Sequence, residues 1–153
     1  MELKQIVPNW DLLPIENEEV PNIEDFKGKP LLILFFNLGC PGCKGRALPY
    51  ANRIIVENGN KVNVLGIHTR FEGPEYTKSD FDMAKLEYHI RFPFYIDQNM
   101  AETFHKYLAG GTPHWILIDK EGKLEYSIFG SDPNNALLRL DFKINELVGE
   151  KLV

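Results

Sequence analysis

Leu31 to Phe36 is an unbroken run of six apolar residues, introduced by Lys29-Pro30. It is far shorter than a membrane span and too continuous for a strand with one wet face. A run of this length fits a central strand buried on both sides, of the kind that helices cover in a parallel or mixed sheet. Cys40-Pro41-Gly42-Cys43 follows closely, and then Ala47, Leu48, Ile54, Ile55 and Val56 read as helix until Asn58-Gly59-Asn60 stops it. Val62 to His68 is a second strand. Strand, helix and strand in that order imply a right-handed parallel crossover and an α/β fold.

The remaining segments extend this pattern. Residues 1–30, with Pro8, Pro14, Pro21 and Pro30 and the acidic Glu16-Asn17-Glu18-Glu19, predict an extended N-terminal arm with turns or a short hairpin and no helix. Phe71-Glu72-Gly73-Pro74 begins a loop, Ser79 or Asp80 can cap a helix through Tyr88, and Phe92 to Ile96 is at most a short strand. Asn99 can open a helix through Leu108 that ends at Gly110-Gly111. Trp115 to Asp119 and Lys123 to Ile128 flank Lys120-Glu121-Gly122 and predict an antiparallel hairpin. Asp132-Pro133 then starts a C-terminal helix with Leu137, Leu138, Leu140, Ile144, Leu147 and Val148 as its buried stripe.

The length of 153 residues suits one domain spanning 1–153. Seventeen basic against 22 acidic residues give a net charge of −5, and the basic residues are scattered, which argues against nucleic acid or anionic lipid as partner. No apolar run is long enough for a membrane span. Met1 to Pro8 has no basic segment leading into an apolar one, so the expected location is cytoplasmic, or periplasmic or exported if a leader has been removed.

Two cysteines are too few for a disulfide framework, so their value lies in chemistry. The thiolate is the nucleophile in thiol–disulfide exchange. Cys40, at the start of a helix, faces unpaired N–H groups and the positive end of the helix dipole, which favour a thiolate. Cys43 lies one turn along and can attack a mixed disulfide formed at Cys40. Zinc would need two further ligands, and His68, His89, His105 and His114 show no paired spacing. No metal and no dissociable cofactor is expected.

Phe35-Phe36-Asn37-Leu38-Gly39-Cys40-Pro41-Gly42-Cys43 and Gly111-Thr112-Pro113-His114-Trp115-Ile116-Leu117-Ile118-Asp119 resemble the active-site and cis-proline segments of thioredoxin-fold proteins, closest to the TlpA-like/redoxin (AhpC/TSA-related) branch. The resemblance covers about residues 7–149 and implies a thioredoxin-like fold. That fold has a central mixed sheet flanked by helices, an N-terminal extension (1–30) and a strand–helix insertion. It also implies a thiol–disulfide oxidoreductase in which Cys40 attacks, Cys43 resolves, and Pro113 is a cis-proline packed against the pair. Gly39, Pro41, Gly42, Thr112, Pro113 and His114 would line the substrate site, the bared backbone of Thr112 pairing with a substrate strand. Partners would be protein or small-molecule disulfides and an electron-donating reductase or thiol.

The chain departs from that pattern at three places. Gly39 stands where a Trp is usual, which removes an aromatic lid and predicts a more accessible nucleophile. Leu34 stands where thioredoxin has a buried Asp, so a proton acceptor for the second thiol is missing or supplied elsewhere. Pro49 falls nine residues after Cys40 instead of eight, which predicts a one-residue bulge in the first turns of the helix.

His68, at the C-terminal end of its strand, is a candidate modulator of pH dependence against the simpler reading of a hydrogen-bonded structural histidine. His114 could touch substrate or simply begin an edge strand. Two other functions suit the same residues. A redoxin-type thiol peroxidase would want Thr three residues before the first cysteine, where Asn37 stands. A copper-binding module would use both thiolates and a distant histidine, with the proline beside the sulfurs crowding the metal.

Overall fold

The computed structural model describes residues 1–149. Six strands form one mixed sheet in the order β1-β4-β3-β2-β5-β6, where β1 is Leu12–Leu13, β2 Leu31–Phe36, β3 Asn63–His68, β4 Phe94–Asp97, β5 His114–Ile118 and β6 Leu124–Phe129. Helices α1 (Leu48–Asn58), α2 (Lys78–Glu87), α3 (Glu102–Lys106) and α4 (Ala136–Leu147) are placed between and after them. Strand β2 pairs in parallel with β3 and antiparallel with β5, and every one of its residues is buried.

The alternation of side chains along β2 divides the core. Leu32, Leu34 and Phe36 point into a cluster with Leu48, Ala51 and Ile54 of α1, Phe81 of α2 and Leu137, Leu140 and Ile144 of α4. Leu31, Ile33 and Phe35 point the other way, onto Phe104 of α3, Tyr107, and Val7, Trp10 and Ile23 of the N-terminal arm. The arm is thus the cover of the sheet's second face. The Trp10 indole N–H donates to the Pro21 carbonyl at 2.8 Å, which closes the arm into a loop.

Several expectations change in detail. Arm residues Ile23–Phe26 form a 3-10 turn, where no helix was expected, because Asn22 and Asp25 cap each other reciprocally. Helix α2 is capped by Thr77, not by Ser79 or Asp80; the Thr77 hydroxyl accepts from the Asp80 N–H, and the Asp80 carboxylate accepts from the Thr77 N–H at 2.7 Å. Helix α3 is a short Glu102–Lys106, since Asn99 and Met100 hold positive φ and the buried Asp97 carboxylate takes the Thr103 and Phe104 N–H groups at its start. In α4, which begins only at Ala136, Leu138 is exposed and not part of the buried stripe. Among the described residues no helix is long and apolar enough to cross a membrane.

Gly66 in β3 is required by packing. A Cβ there would lie 2.9 Å from Phe94 Cβ and 3.0 Å from the rings of both Phe36 and Phe92. The neighbours belong to the buried core and cannot all withdraw, so Gly66→Ala should lower stability by about 1–3 kcal/mol. Urea unfolding measures this, and an unchanged midpoint would contradict the tight packing of β2 to β4.

Candidate active site

The C-terminal end of β2 runs into Asn37-Leu38-Gly39-Cys40. Three hydrogen bonds shape this loop. Asn37 Nδ2 donates to the Thr69 carbonyl at 2.8 Å, Asn37 Oδ1 accepts from the Gly39 N–H at 2.7 Å, and the Leu38 N–H donates to His68 Nε2 at 3.1 Å. The parallel partner β3 therefore supplies the anchor, through His68 and the following Thr69. Asn37, considered from the sequence only as a missing threonine, is what turns the chain toward the cysteines. An Asn two residues before a Gly is a legible turn signal.

Helical structure begins at Pro41, passes through a π-helical turn at Cys43–Ala47 and continues as α1. The extra residue of that turn accommodates the ninth-position Pro49. Cys40 is half-buried and Cys43 fully buried, both as free thiols. The Cys43 N–H donates to Cys40 Sγ at 3.3 Å, and Cys40 Sγ lies 3.4 Å from the Thr112 carbonyl. This first sulfur thus sits at the opening turn of a helix with a backbone donor aimed at it, an arrangement that stabilises negative charge.

Cys43 is different. Burial, reinforced by the adjacent Cys40, pushes its thiol far above the ordinary range, and opposing hydrogen bonds from the Asn37 backbone and the Thr112 hydroxyl are weaker. No carboxylate is among the groups that shift it. Leu34 is fully buried in the same cluster, so its position offers no proton acceptor.

The Thr112–Pro113 peptide is cis. A Cβ on Gly42 would lie 3.6 Å from Pro113 Cδ and 3.2 Å from Ser131 Oγ, which places the proline and the loop after β6 against the first turn of the helix. Pro41 is exposed, Gly42 and Thr112 are half-buried, and Pro113 is buried. Gly39 is exposed, but the space beside it is not open: Tyr76, from the loop between β3 and α2, fills it. The structure does not bare Cys40 in the way the glycine alone suggested. Nothing in the sequence pattern around Tyr76 signals this placement.

Both histidines are buried and hydrogen-bonded. His114 begins β5, an interior strand and not an edge; its Nδ1 accepts from the Gly110 N–H at 3.2 Å, so the neutral ring carries its proton on Nε2, 2.8 Å from Ser127 Oγ. It braces the loop leading to Thr112. His68 accepts from Leu38 and is surrounded edge-on by Phe36, Tyr76 and Phe81. Among the described residues no group of three or more His, Cys, Asp or Glu is placed to hold a metal.

The redoxin family profile matches residues 5–141. The chain belongs to the redoxin family. Over 90% of its length this redoxin is 25% identical to a thiol-disulfide oxidoreductase, ResA, of Bacillus cereus, covering 75% of that protein, and over 88% it is 24% identical to the thiol-disulfide oxidoreductase YkuV of Bacillus subtilis, covering 87%. Among solved structures, a thioredoxin-like superfamily protein superposes with a TM-score of 0.80 at 32% identity, covering 98% of this chain and 99% of the other. A thiol-disulfide isomerase from Corynebacterium glutamicum superposes with a TM-score of 0.81 at 28% identity, covering 95% and 98%. This redoxin is accordingly an enzyme of the thioredoxin-like thiol–disulfide oxidoreductase class.

Burial holds both imidazoles low, His114 to about 4, and His68 to about 4 with a smaller contribution from Arg70. An unfolded histidine titrates near ~6.5, so between these values the unfolded chain binds more protons than the folded one. Stability is therefore full above ~6.5 and is lost as pH falls toward about 4. Asp97, raised by burial, contributes with the opposite sign, so a variant is needed to isolate the histidine effect. His114→Gln should flatten the fall of the urea midpoint across that window, and an unchanged slope would show that His114 titrates alike in both states.

Proposed function

We propose that this redoxin exchanges electrons with protein disulfides, with Cys40 as attacking thiol and Cys43 as resolving thiol. The observation that carries the reading is the asymmetry of the pair: Cys40 is partly exposed with a backbone donor on its sulfur, while Cys43 is fully buried and held protonated by its surroundings.

In the first step the Cys40 thiolate attacks one sulfur of a substrate disulfide. A Cys40–substrate bond forms, the substrate's own S–S bond breaks, and its second sulfur leaves as a thiolate. Cys43 then gives up its proton and attacks Cys40 Sγ. The Cys40–Cys43 disulfide forms, the substrate's first sulfur departs, and two electrons have passed to the substrate. The departing substrate thiolate takes up that proton. A donor dithiol reverses both steps on the enzyme and restores the reduced pair. Thr112, half-buried with its carbonyl at Cys40, offers the backbone edge beside which a substrate strand lies.

A peroxidase reading has less support, because Asn37 spends both ends of its amide on the loop and is not free to orient a peroxide.

Cys43→Ser should accumulate a mixed disulfide with a protein substrate, since the first attack needs only Cys40, whereas Cys40→Ser should accumulate none. Non-reducing electrophoresis and peptide mass after incubation with insulin read the outcome. Equal trapping by both variants would overturn the division of roles.

A further inference from the structure

Gly39 immediately precedes the attacking thiol, and the geometry explains why it is glycine. A Cβ at this position would lie 3.0 Å from the Tyr76 hydroxyl and 3.1 Å from Asn37 Oδ1. The space is occupied from a distant part of the chain. Tyr76 is half-buried, and its ring is fixed against His68 at 5.3 Å and 80° and against Phe81 at 6.3 Å and 58°. His68 in turn receives the Leu38 N–H, so the same histidine anchors both the loop before Cys40 and the aromatic ring over it. Among the described residues the Tyr76 hydroxyl makes no hydrogen bond, so its donor remains available to an incoming group.

Tyr76 also lines two surface hollows. One, of about 210 Å³, is lined by Leu38, Met83 and Tyr88 together with the charged Lys44, Asp80 and Glu87, and adjoins the cysteine segment, since Leu38 and Lys44 bracket it in sequence. The other, of about 240 Å³, also has Tyr76 in its wall, with His68, Arg70, Glu75 and Met100. Gly39 precedes Cys40, and on that flank no side chain of residue 39 intervenes, so a polypeptide lying there meets Tyr76 directly. A small disulfide needs neither the flank nor the hollows.

We propose that Tyr76 is a specificity-determining residue for the thiol–disulfide reaction: it forms the wall beside Cys40 on which a polypeptide substrate packs, with a side chain of that substrate entering the mixed apolar and charged hollow of Leu38, Met83, Lys44, Asp80 and Glu87. The inference rests on the assignment of Cys40 as the attacking thiol. It gives the loop between β3 and α2 a role in choosing protein disulfides over small ones, and it makes Gly39 and Tyr76 a coupled pair.

The test compares steady-state kinetics on insulin and on 5,5′-dithiobis(2-nitrobenzoate). In Tyr76→Ala the ratio of kcat/KM for insulin to that for the small disulfide should fall about tenfold, the worth of one aromatic contact, and the loss should appear in KM for insulin. Gly39→Ala, whose added Cβ crowds the Tyr76 hydroxyl and Asn37 Oδ1, should lower the ratio in the same direction, and the double variant should lose no more than the larger single loss. Tyr76→Phe keeps the ring and should retain most of the ratio. Equal losses on both substrates, a fall confined to kcat, or additive effects of the two substitutions would overturn the proposal. If the unaltered protein reduces neither disulfide, the assignment of Cys40 itself fails, which is a separate outcome.

Discussion

Strand β2 is hydrogen-bonded on both sides and covered on both faces, and the rest of the structure depends on that double burial. A strand in this position cannot shift register without turning core side chains toward solvent. Its end is therefore a fixed point in space, and the segment Asn37 to Cys40 leaves from that point. The parallel neighbour β3 ends alongside, which is why His68 and Thr69 are within reach of the loop backbone. On the other side β5 starts at His114, and its lead-in places Thr112 against Cys40. The Cys40 sulfur is thus held between the ends of three adjacent strands.

From this placement the two thiols acquire different chemistry without any charged partner. Cys40 stands at the opening of the helix, where a backbone N–H reaches its sulfur. Cys43, one turn further, faces the sheet in the cluster with Leu34 and Trp115. Burial is the largest influence on Cys43 and penalises its charged form, with the adjacent Cys40 acting in the same direction. An acid at position 34 is unnecessary for that asymmetry.

The features legible in the sequence were those carried by local pattern. The apolar run of β2, the hairpin of β5 and β6 around a glycine with positive φ at Gly122, the CxxC at a strand-to-helix junction and the offset of Pro49 all signal themselves within a few residues. What could not be read depends on contacts across long separations. Tyr76 reaches Gly39 from another loop, the arm residues Trp10 and Ile23 cover a sheet face that their own segment does not announce, and His114 gains both of its partners only when β5 lies inside the sheet. Leu138 differs for a simpler reason: at about 100° per residue it lies well off the line of Leu137, Leu140 and Ile144, and it is exposed.

The central claim is that position alone, exposed helix start against buried first turn, makes Cys40 the reactive thiol. Iodoacetamide alkylation of the fully reduced protein across neutral to mildly alkaline pH, followed at each cysteine by peptide mass, tests it most directly. Cys40 should take essentially all of the label while the protein stays folded, with Cys43 reacting only after denaturation. Labelling of Cys43 as fast as or faster than Cys40 in the folded protein would contradict it.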